Sequence, residues 1–579
     1  MSETVTDVET PERRVSDLVA PFLDQRMTIA RLALYAIAVV VAWTNRYVQD
    51  DAFITYRYSR NLARGHGLVW NLHENPPVQG YTNFLWTLIH AIPERMGWSS
   101  PLFSLLLGIP LMIATLWVAE RYAARALGDA RMGFLVACVL GGTITFLGYG
   151  VGGMETMLQT LLVTSVAALI VGVETTMLRR IAAGLLGALA ILTRLDSVVL
   201  VGVAFVVCLV VQWRRDTDPG RLARVTRTAA ELGVPMLAVV VPWLVWTYRF
   251  YGNILPNTFF AKSATNRLVP AAYGVFYLVG FFASYGAFLL IGRFRRLRGR
   301  FFALPATAAA FAVIPVWFLY IVGVGGDFME YRFVVPVLPV LAMLAAYLFD
   351  HFRSTRRQIA VVGIAFAMSA FHLIAPNLVY PVLPFQTLHH WPSESKTNWL
   401  AMGKLLQREF PGELGDAGRP TIAVAPLGVI SYYSDLNSVD MLGLTDAGIA
   451  RHGSPISLYY PGHLRMATVG QLMDRHVDLI IGEPLAKEQH KDRTFFLSEL
   501  VTMYPDNDLR QLPRTTKVVE IELQPGYDWY VLYPKSDPVV DRRIAANHWP
   551  VLDINWSCRR SDLPNFVIRW LAEPTCGPT

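Results

Sequence analysis

A succession of apolar runs constrains this chain more than any motif in it, because each is close to the roughly 20 residues a helix needs to cross a bilayer. They lie near 28–48, 101–119, 132–149, 155–175, 180–193, 196–213, 232–250, 270–291, 302–323, 333–350 and 358–376. Of the residues, 53% are hydrophobic and only 16% are charged, where soluble domains carry about 25% charged. The chain therefore reads as a polytopic α-helical membrane protein. Its net charge of +7 sits in short loops between the apolar runs, which is a topology signal and not a nucleic-acid-binding patch.

The order of the loops tests that reading. The tail over residues 1–27 carries Arg13, Arg14 and Arg26 without a small-residue cleavage site behind a short apolar core, so it is expected to stay in the cytoplasm. Alternate connections should then be rich in cations. Arg121, Arg125 and Arg131 fill the first, Arg179 and Arg180 the next, and Arg214, Arg215, Arg221, Arg224 and Arg227 the third. Arg293, Arg295, Arg296, Arg298 and Arg300 follow, and then Arg353, Arg356 and Arg357. The stretch Tyr81–Trp98 contains His90, Glu94 and Arg95, and counting it as a span would invert every later loop. It is expected to lie in the outer interface. About eleven spans remain, an odd number that puts the C-terminal part outside.

The expected organisation is a transmembrane domain over 28–380, with an external loop over 49–100, and an extracytoplasmic soluble α/β domain over 381–579. The latter carries short β-rich runs at Thr421–Ala425, Val477–Ile481, Lys517–Leu523 and Tyr527–Tyr533, with helical patterns at Lys396–Phe410 and Val469–Arg475. Cys558 and Cys576 both fall in it, in a compartment that should be oxidising, and are expected to form a disulfide. Cys138 and Cys208 fall inside spans and read as packing residues.

With that topology the polar motifs gather on one face. Outer loops carry Gly152-Gly153-Met154-Glu155-Thr156, Thr193-Arg194-Leu195-Asp196, Leu255-Pro256-Asn257-Thr258 with Lys262, and Gly325-Gly326-Asp327-Phe328-Met329-Glu330-Tyr331-Arg332. Ionisable groups at membrane depth are costly and mark function. In the α/β domain the polar motifs are Asp440–Asp446 and Tyr459-Tyr460-Pro461-Gly462-His463, whose rings suit either sugar stacking or a small core. The sharpest pattern begins at Asp50-Asp51, where the first apolar run ends. Behind the two carboxylates, Arg57, Arg60 and Arg64 share one face of a helix that Gly65 can terminate.

A transferase using a lipid-linked sugar needs a carboxylate for the acceptor hydroxyl, cations or a metal for the leaving phosphate, and an apolar groove for the lipid tail. Asp50 and Asp51 can supply the first and could hold a divalent cation (Mg, Mn or Ca). Arg57, Arg60, Arg64, Arg194, Lys262 and Arg332 are candidates for the phosphate, although arginines on an interfacial helix also bind membrane-lipid headgroups generally. Glu155, Asp196, Asn257, Asp327 and His463 are candidate substrate contacts, the acids among them serving equally well as caps or loop ion pairs.

The segment Asp50-Asp51-Ala52-Phe53-Ile54 through Arg60-Asn61-Leu62-Ala63-Arg64-Gly65-His66-Gly67-Leu68-Val69-Trp70-Asn71, followed by Gly80-Tyr81-Thr82-Asn83, resembles the first external loop of the GT-C superfamily of glycosyltransferases. It is most similar to the mycobacterial terminal arabinofuranosyltransferases and their wider bacterial relatives. Gly153-Met154-Glu155, Thr193-Arg194, Leu255-Pro256-Asn257-Thr258 and Gly325-Gly326-Asp327 with Arg332-Phe333 carry the resemblance along most of the chain. It implies a GT-C-like enzyme of the bacterial plasma membrane, with Asp50 or Asp51 as catalytic carboxylate and Tyr81 and Asn83 at the substrate. The donor it implies is a polyprenyl-phosphate sugar, decaprenyl-phospho-arabinofuranose, and the acceptor a cell-envelope glycan. Ala52-Phe53 and Gln79-Gly80-Tyr81-Thr82 depart from the wording of the arabinofuranosyl enzymes. Two other readings stay open, a lipid-linked-sugar transporter and a non-catalytic envelope or motility factor of the same fold.

Overall fold

The computed structural model describes residues 25–579, apart from 73, 171–174, 263–267, 304, most of 352–397, 489–494, 559–572 and 577–579. The first helix runs over Gln25–Thr44, so it stops short of Val48, and a separate helix begins at Asp50. The chain then continues through Phe84–Arg95, Ser100–Leu127, Ala130–Gly141, Ile144–Gly150, Thr156–Ile170, Met177–Thr193, Ser197–Arg215 and Arg221–Tyr251. Leu268–Ser284, Phe288–Ala303, Pro305–Val324 and Leu338–Asp350 complete the helical part.

Among the described residues five helices are long and apolar enough to cross a membrane, or six if the bent pair Ala130–Gly141 and Ile144–Gly150 is one span. That pair bends by 74° at Gly142-Thr143, where the single run 132–149 was expected. Thr156–Ile170, Leu268–Ser284 and Phe311–Val324 are shorter apolar helices. Tyr81–Trp98 contains the 12-residue helix Phe84–Arg95, about 18 Å at 1.5 Å per residue and too short to cross. The arginines from Arg293 to Arg300 lie on a helix of their own, Phe288–Ala303, and not in a loop. The expected span 358–376 falls on residues that are mostly outside the described set.

Beyond Trp399–Glu409 the chain forms a seven-stranded sheet and a hairpin. The strands are β1 (Ile422–Val424), β2 (Ser438–Asp440), β3 (Ser454–Tyr460), β4 (His463–Met466), β5 (Leu479–Glu488), β6 (Phe495–Phe496), β7 (Lys517–Gln524), β8 (Tyr527–Tyr533) and β9 (Val551–Asn555). Their order is β2-β1-β5-β8-β7-β9-β6, with β2, β1 and β5 parallel and β5-β8-β7-β9 antiparallel. β3 and β4 form the separate hairpin, turning at Pro461-Gly462. Cys558 and Cys576 are joined by a disulfide with their Cα atoms 5.6 Å apart.

Sheet and membrane part are not independent bodies. One buried cluster unites Ile54 and Tyr58 of the external loop with Tyr251 from a long membrane helix and with Ile430 and Trp529 of the α/β domain. The external loop is thus a layer of the same core, not a solvated connection.

Candidate active site

The helix Asp50–Ala63, hereafter the loop helix, starts with two acids in its first turn, where the macrodipole favours them. It ends at Gly65, whose φ of +88° only glycine adopts readily. Nearly all of its sides are buried. Its partner is Leu427–Ser434 of the α/β domain, the docking helix, and the two are tied along their whole length. At one end Asp50 accepts hydrogen bonds from Gly428 N at 3.0 Å and Val429 N at 2.8 Å, satisfying free donors of the docking helix's first turn. A Cβ on Gly428 would fall 1.9 Å from the Asp50 carbonyl oxygen, so the approach requires glycine. Burial pushes the Asp50 carboxyl up to about 7, against the two backbone donors that pull it down.

At the other end stand the three arginines, engaged with the docking helix and not presented to a phosphate. Arg57, fully buried, donates to Ser431 O, Leu436 O, Trp70 O and the Asn71 side chain at 2.6–3.1 Å, and its guanidinium covers the Trp70 ring. Arg60 donates to Tyr432 O, lies over the Tyr432 ring at 3.6 Å and pairs with Glu94 at 3.1 Å. Arg64 pairs with Asp435 at 2.6 Å. They do share the expected face, but that face meets the C-terminal end of a helix some 370 positions away, Arg57 and Arg60 through its carbonyls and Arg64 through the Asp435 carboxylate. Cations there complement the dipole as Asp50 complements its start.

Most of the expected substrate contacts form a buried network within the protein. Asn83 bonds Thr55 of the loop helix and donates to Glu155 at 2.8 Å. Glu155 in turn pairs with Arg194 at 2.7 Å, and Arg194 with Asp196 at 2.7 Å, which also receives Gln159 and Tyr320. Arg194 therefore has its charge compensated twice. Asn257 donates to the carbonyls of Gly443 and Leu444, in a turn held by the Asp440 carboxylate. Tyr81 packs on Tyr58 and meets the Tyr251 hydroxyl at 3.1 Å.

The remaining groups lie within electrostatic reach of Asp51 or of one another. Asp51 is half-buried, and its carboxylate accepts no hydrogen bond among the described residues. Its charge is felt by Lys262 and by Arg332, and these two cations feel one another. Lys262 is exposed to solvent yet ringed by protein, so burial lowers its pKa. The hairpin turn at Gly462 lies over its amine, where a Cβ would come 3.5 Å from Nζ. Arg332 Nε is 2.6 Å from Asp327 Oδ2, but off the hydrogen-bonding direction, so this is a close ion pair with donor capacity left. His463 packs on Phe328 at 5.0 Å and Tyr460 at 5.2 Å, and burial beside Lys262 lowers it to about 4, a neutral ring at pH 7.

The fit of a divalent cation to the acid pair is poor. Both oxygens of Asp50 are committed to backbone donors, and among the described residues no three His, Cys, Asp or Glu side chains gather as a ligand set. A further acid, Glu483 at the end of the parallel portion of β5, lies within electrostatic reach of Asp50. The run Ile480-Ile481-Gly482-Glu483 is its only trace in the sequence, an apolar strand ending in glycine and an acid.

This architecture has solved counterparts. The apo crystal structure of ArnT from Cupriavidus metallidurans is 16% identical and superposes with a TM-score of 0.54, covering 87% of this chain and 97% of that one. ArnT from the same organism bound to undecaprenyl phosphate is 17% identical with a TM-score of 0.50, covering 89% and 99%. The fold is GT-C-like. At this identity the likeness extends to the fold alone: a polytopic helical membrane part with a C-terminal α/β domain. A family described as "Domain of unknown function (DUF8728)" matches residues 387–552, the greater part of the α/β domain. No curated protein matches the chain.

Proposed function

We propose that this protein is a membrane glycosyltransferase that moves a sugar from a polyprenyl-phosphate donor to a cell-envelope glycan on the extracytoplasmic face. One observation carries the reading. Asp51 stands without a side-chain hydrogen-bond partner among the described residues, within electrostatic reach of Lys262 and Arg332. A proton acceptor beside two cations is what transfer from a phosphate leaving group requires. That ArnT, of like fold, is seen with undecaprenyl phosphate supports the donor class. The loop resemblance supports arabinofuranose as the sugar and decaprenyl phosphate as its carrier.

The step balances as follows. Lys262 and Arg332 hold the donor phosphate by charge-assisted hydrogen bonds, and the acceptor hydroxyl lies against Asp51. The hydroxyl oxygen bonds to the anomeric carbon as the bond from that carbon to the phosphate oxygen breaks. The electron pair leaves with the polyprenyl phosphate, and the hydroxyl proton passes to Asp51. Asp50 takes no part in this transfer, since it fixes the loop helix to the α/β domain. Neutral His463 and the hairpin turn flank Lys262 without adding a competing charge.

Transfer of radiolabelled arabinose from decaprenyl-phospho-arabinose to an arabinan oligosaccharide, with purified protein in detergent, tests this. Asp51→Asn is expected to lower the rate by roughly 10²–10⁴-fold, the usual worth of a positioned base. Asp50→Asn is expected to retain transfer where the protein stays folded. Equal activity of Asp51→Asn and wild type would overturn the assignment and favour a non-catalytic factor of this fold. A panel of other lipid-linked sugars decides the donor.

A further inference from the structure

β5 leaves its regular ladder at one place. Ala423 of β1 pairs with Ile480, but Val424 pairs with Gly482, so Ile481 is an extra residue and the strand is bulged. Gly482 has φ +59°, and a Cβ on it would fall 2.1 Å from the Met503 carbonyl oxygen. The next amide, Glu483 N, donates to that same oxygen at 2.8 Å, which locks the bulge. Pairing with β8 also shifts, resuming only at Leu485. Bulges next to active sites re-aim a side chain, and here the re-aimed residue is Glu483.

Its position is the carboxyl end of β5 beside β1, in a sheet whose parallel order is β2-β1-β5. In α/β sheets ligands bind at that end, in the crevice where the connections diverge. Here the phosphate-type seat of the crevice, the start of the docking helix, is already filled by Asp50. Glu483 stands beside that filled seat. Glu483 is exposed as a residue and, among the described residues, its carboxylate forms neither a hydrogen bond nor an ion pair. Surrounding protein nevertheless lifts it to about 7 by desolvation, which no cation among the described residues offsets.

We propose that Glu483 is the acceptor-binding carboxylate of the site, supplied by the α/β domain to hydrogen-bond hydroxyls of the glycan acceptor and set the reacting one against Asp51. This rests on the transferase reading above. A carboxylate without a cation repels a donor phosphate but accepts hydrogen bonds from a neutral polyol. Those bonds run from sugar hydroxyls to Glu483, and no proton is transferred to it. Donor and acceptor are thereby bound by different parts of the chain. The cations Lys262 and Arg332 come from the membrane part, and Glu483 from the α/β domain.

The test is steady-state kinetics with decaprenyl-phospho-arabinose and an arabinan oligosaccharide, comparing wild type, Glu483→Gln and Glu483→Asp, with binding of undecaprenyl phosphate measured alongside. Glu483→Gln is expected to raise the acceptor KM at least tenfold while donor KM and undecaprenyl phosphate affinity stay within twofold. In wild type the acceptor KM should rise as the pH falls below about 7, and in Glu483→Gln that dependence should vanish. Glu483→Asp, which keeps the charge one methylene short, should fall between the two and controls for folding. Wild-type transfer with unchanged acceptor KM in both variants overturns this inference and leaves the transferase reading standing. Absence of wild-type transfer from any lipid-linked sugar overturns both.

Discussion

Lys262 is the residue whose surroundings say most about the donor. The residue is exposed, but the hairpin turn at Gly462 lies against its amine, and burial lowers its pKa while Asp51 and Asp327 act on it through charge, with no ion pair to it among the described residues. An unpaired cation held this way costs stability unless a ligand compensates it. Lys262→Ala should therefore weaken undecaprenyl phosphate binding by ten-fold or more, since a charge-assisted hydrogen bond contributes about 1.5–3 kcal/mol. It should leave the fold at least as stable by chemical denaturation. Lys262→Arg should recover part of the affinity, because a planar fork cannot place a point charge in the same spot. Affinity unchanged in Lys262→Ala would move the phosphate away from this cluster. Arg194, by contrast, is saturated by Glu155 and Asp196, and its replacement should damage folding before it affects binding.

The loop helix and the docking helix behave as one element, and their contact has a calculable pH dependence. Asp50 titrates near 7 when docked, above its ordinary value of 3.8. A raised value means the proton favours the docked state. The contribution is full below about pH 4 and is lost as the pH rises through about 7, at up to about 1.4 kcal/mol per unit. The urea midpoint of wild type minus that of Asp50→Asn should therefore narrow between pH 5 and pH 7. A gap that widens over that range would show that the carboxylate docks as the charged form. Arg57→Ala should cost roughly 3 kcal/mol or more at any pH, since it strands the buried carbonyls of Trp70, Ser431 and Leu436. The same pair of helices shows where sequence reading stops. The acid pair, the shared arginine face and the stop at Gly65 were all legible locally. Their target was not, because Ser431 and Leu436 lie more than 370 residues away and carry no signal that they await a guanidinium. β5, β7 and β8 were legible as apolar runs of strand length. β2 with three residues and β6 with two were too short to show a period.

For the whole molecule, the contacts fix which loops share a face without reference to any membrane. Asp50 and Arg64 reach the α/β domain, as does Asn257 beyond the helix Arg221–Tyr251. Phe328, between Pro305–Val324 and Leu338–Asp350, packs on Tyr460 and His463 of the hairpin. Glu155 meets both Asn83 and Arg194 at the same level. Each of these loops is separated from the next by helical passage out and back, and the turns at the far ends hold Arg214, Arg215, Arg221, Arg224 and the arginine-bearing helix Phe288–Ala303. Cation-rich turns stay in the cytoplasm, so the shared face with the α/β domain should be the outer one. Protease added to intact spheroplasts should then remove the α/β domain and spare a tag placed ahead of Met1, whereas lysed membranes should lose both. Protection of the α/β domain in spheroplasts would invert the molecule and put Asp51, Lys262 and Glu483 on the cytoplasmic face, where an envelope glycan could not reach them.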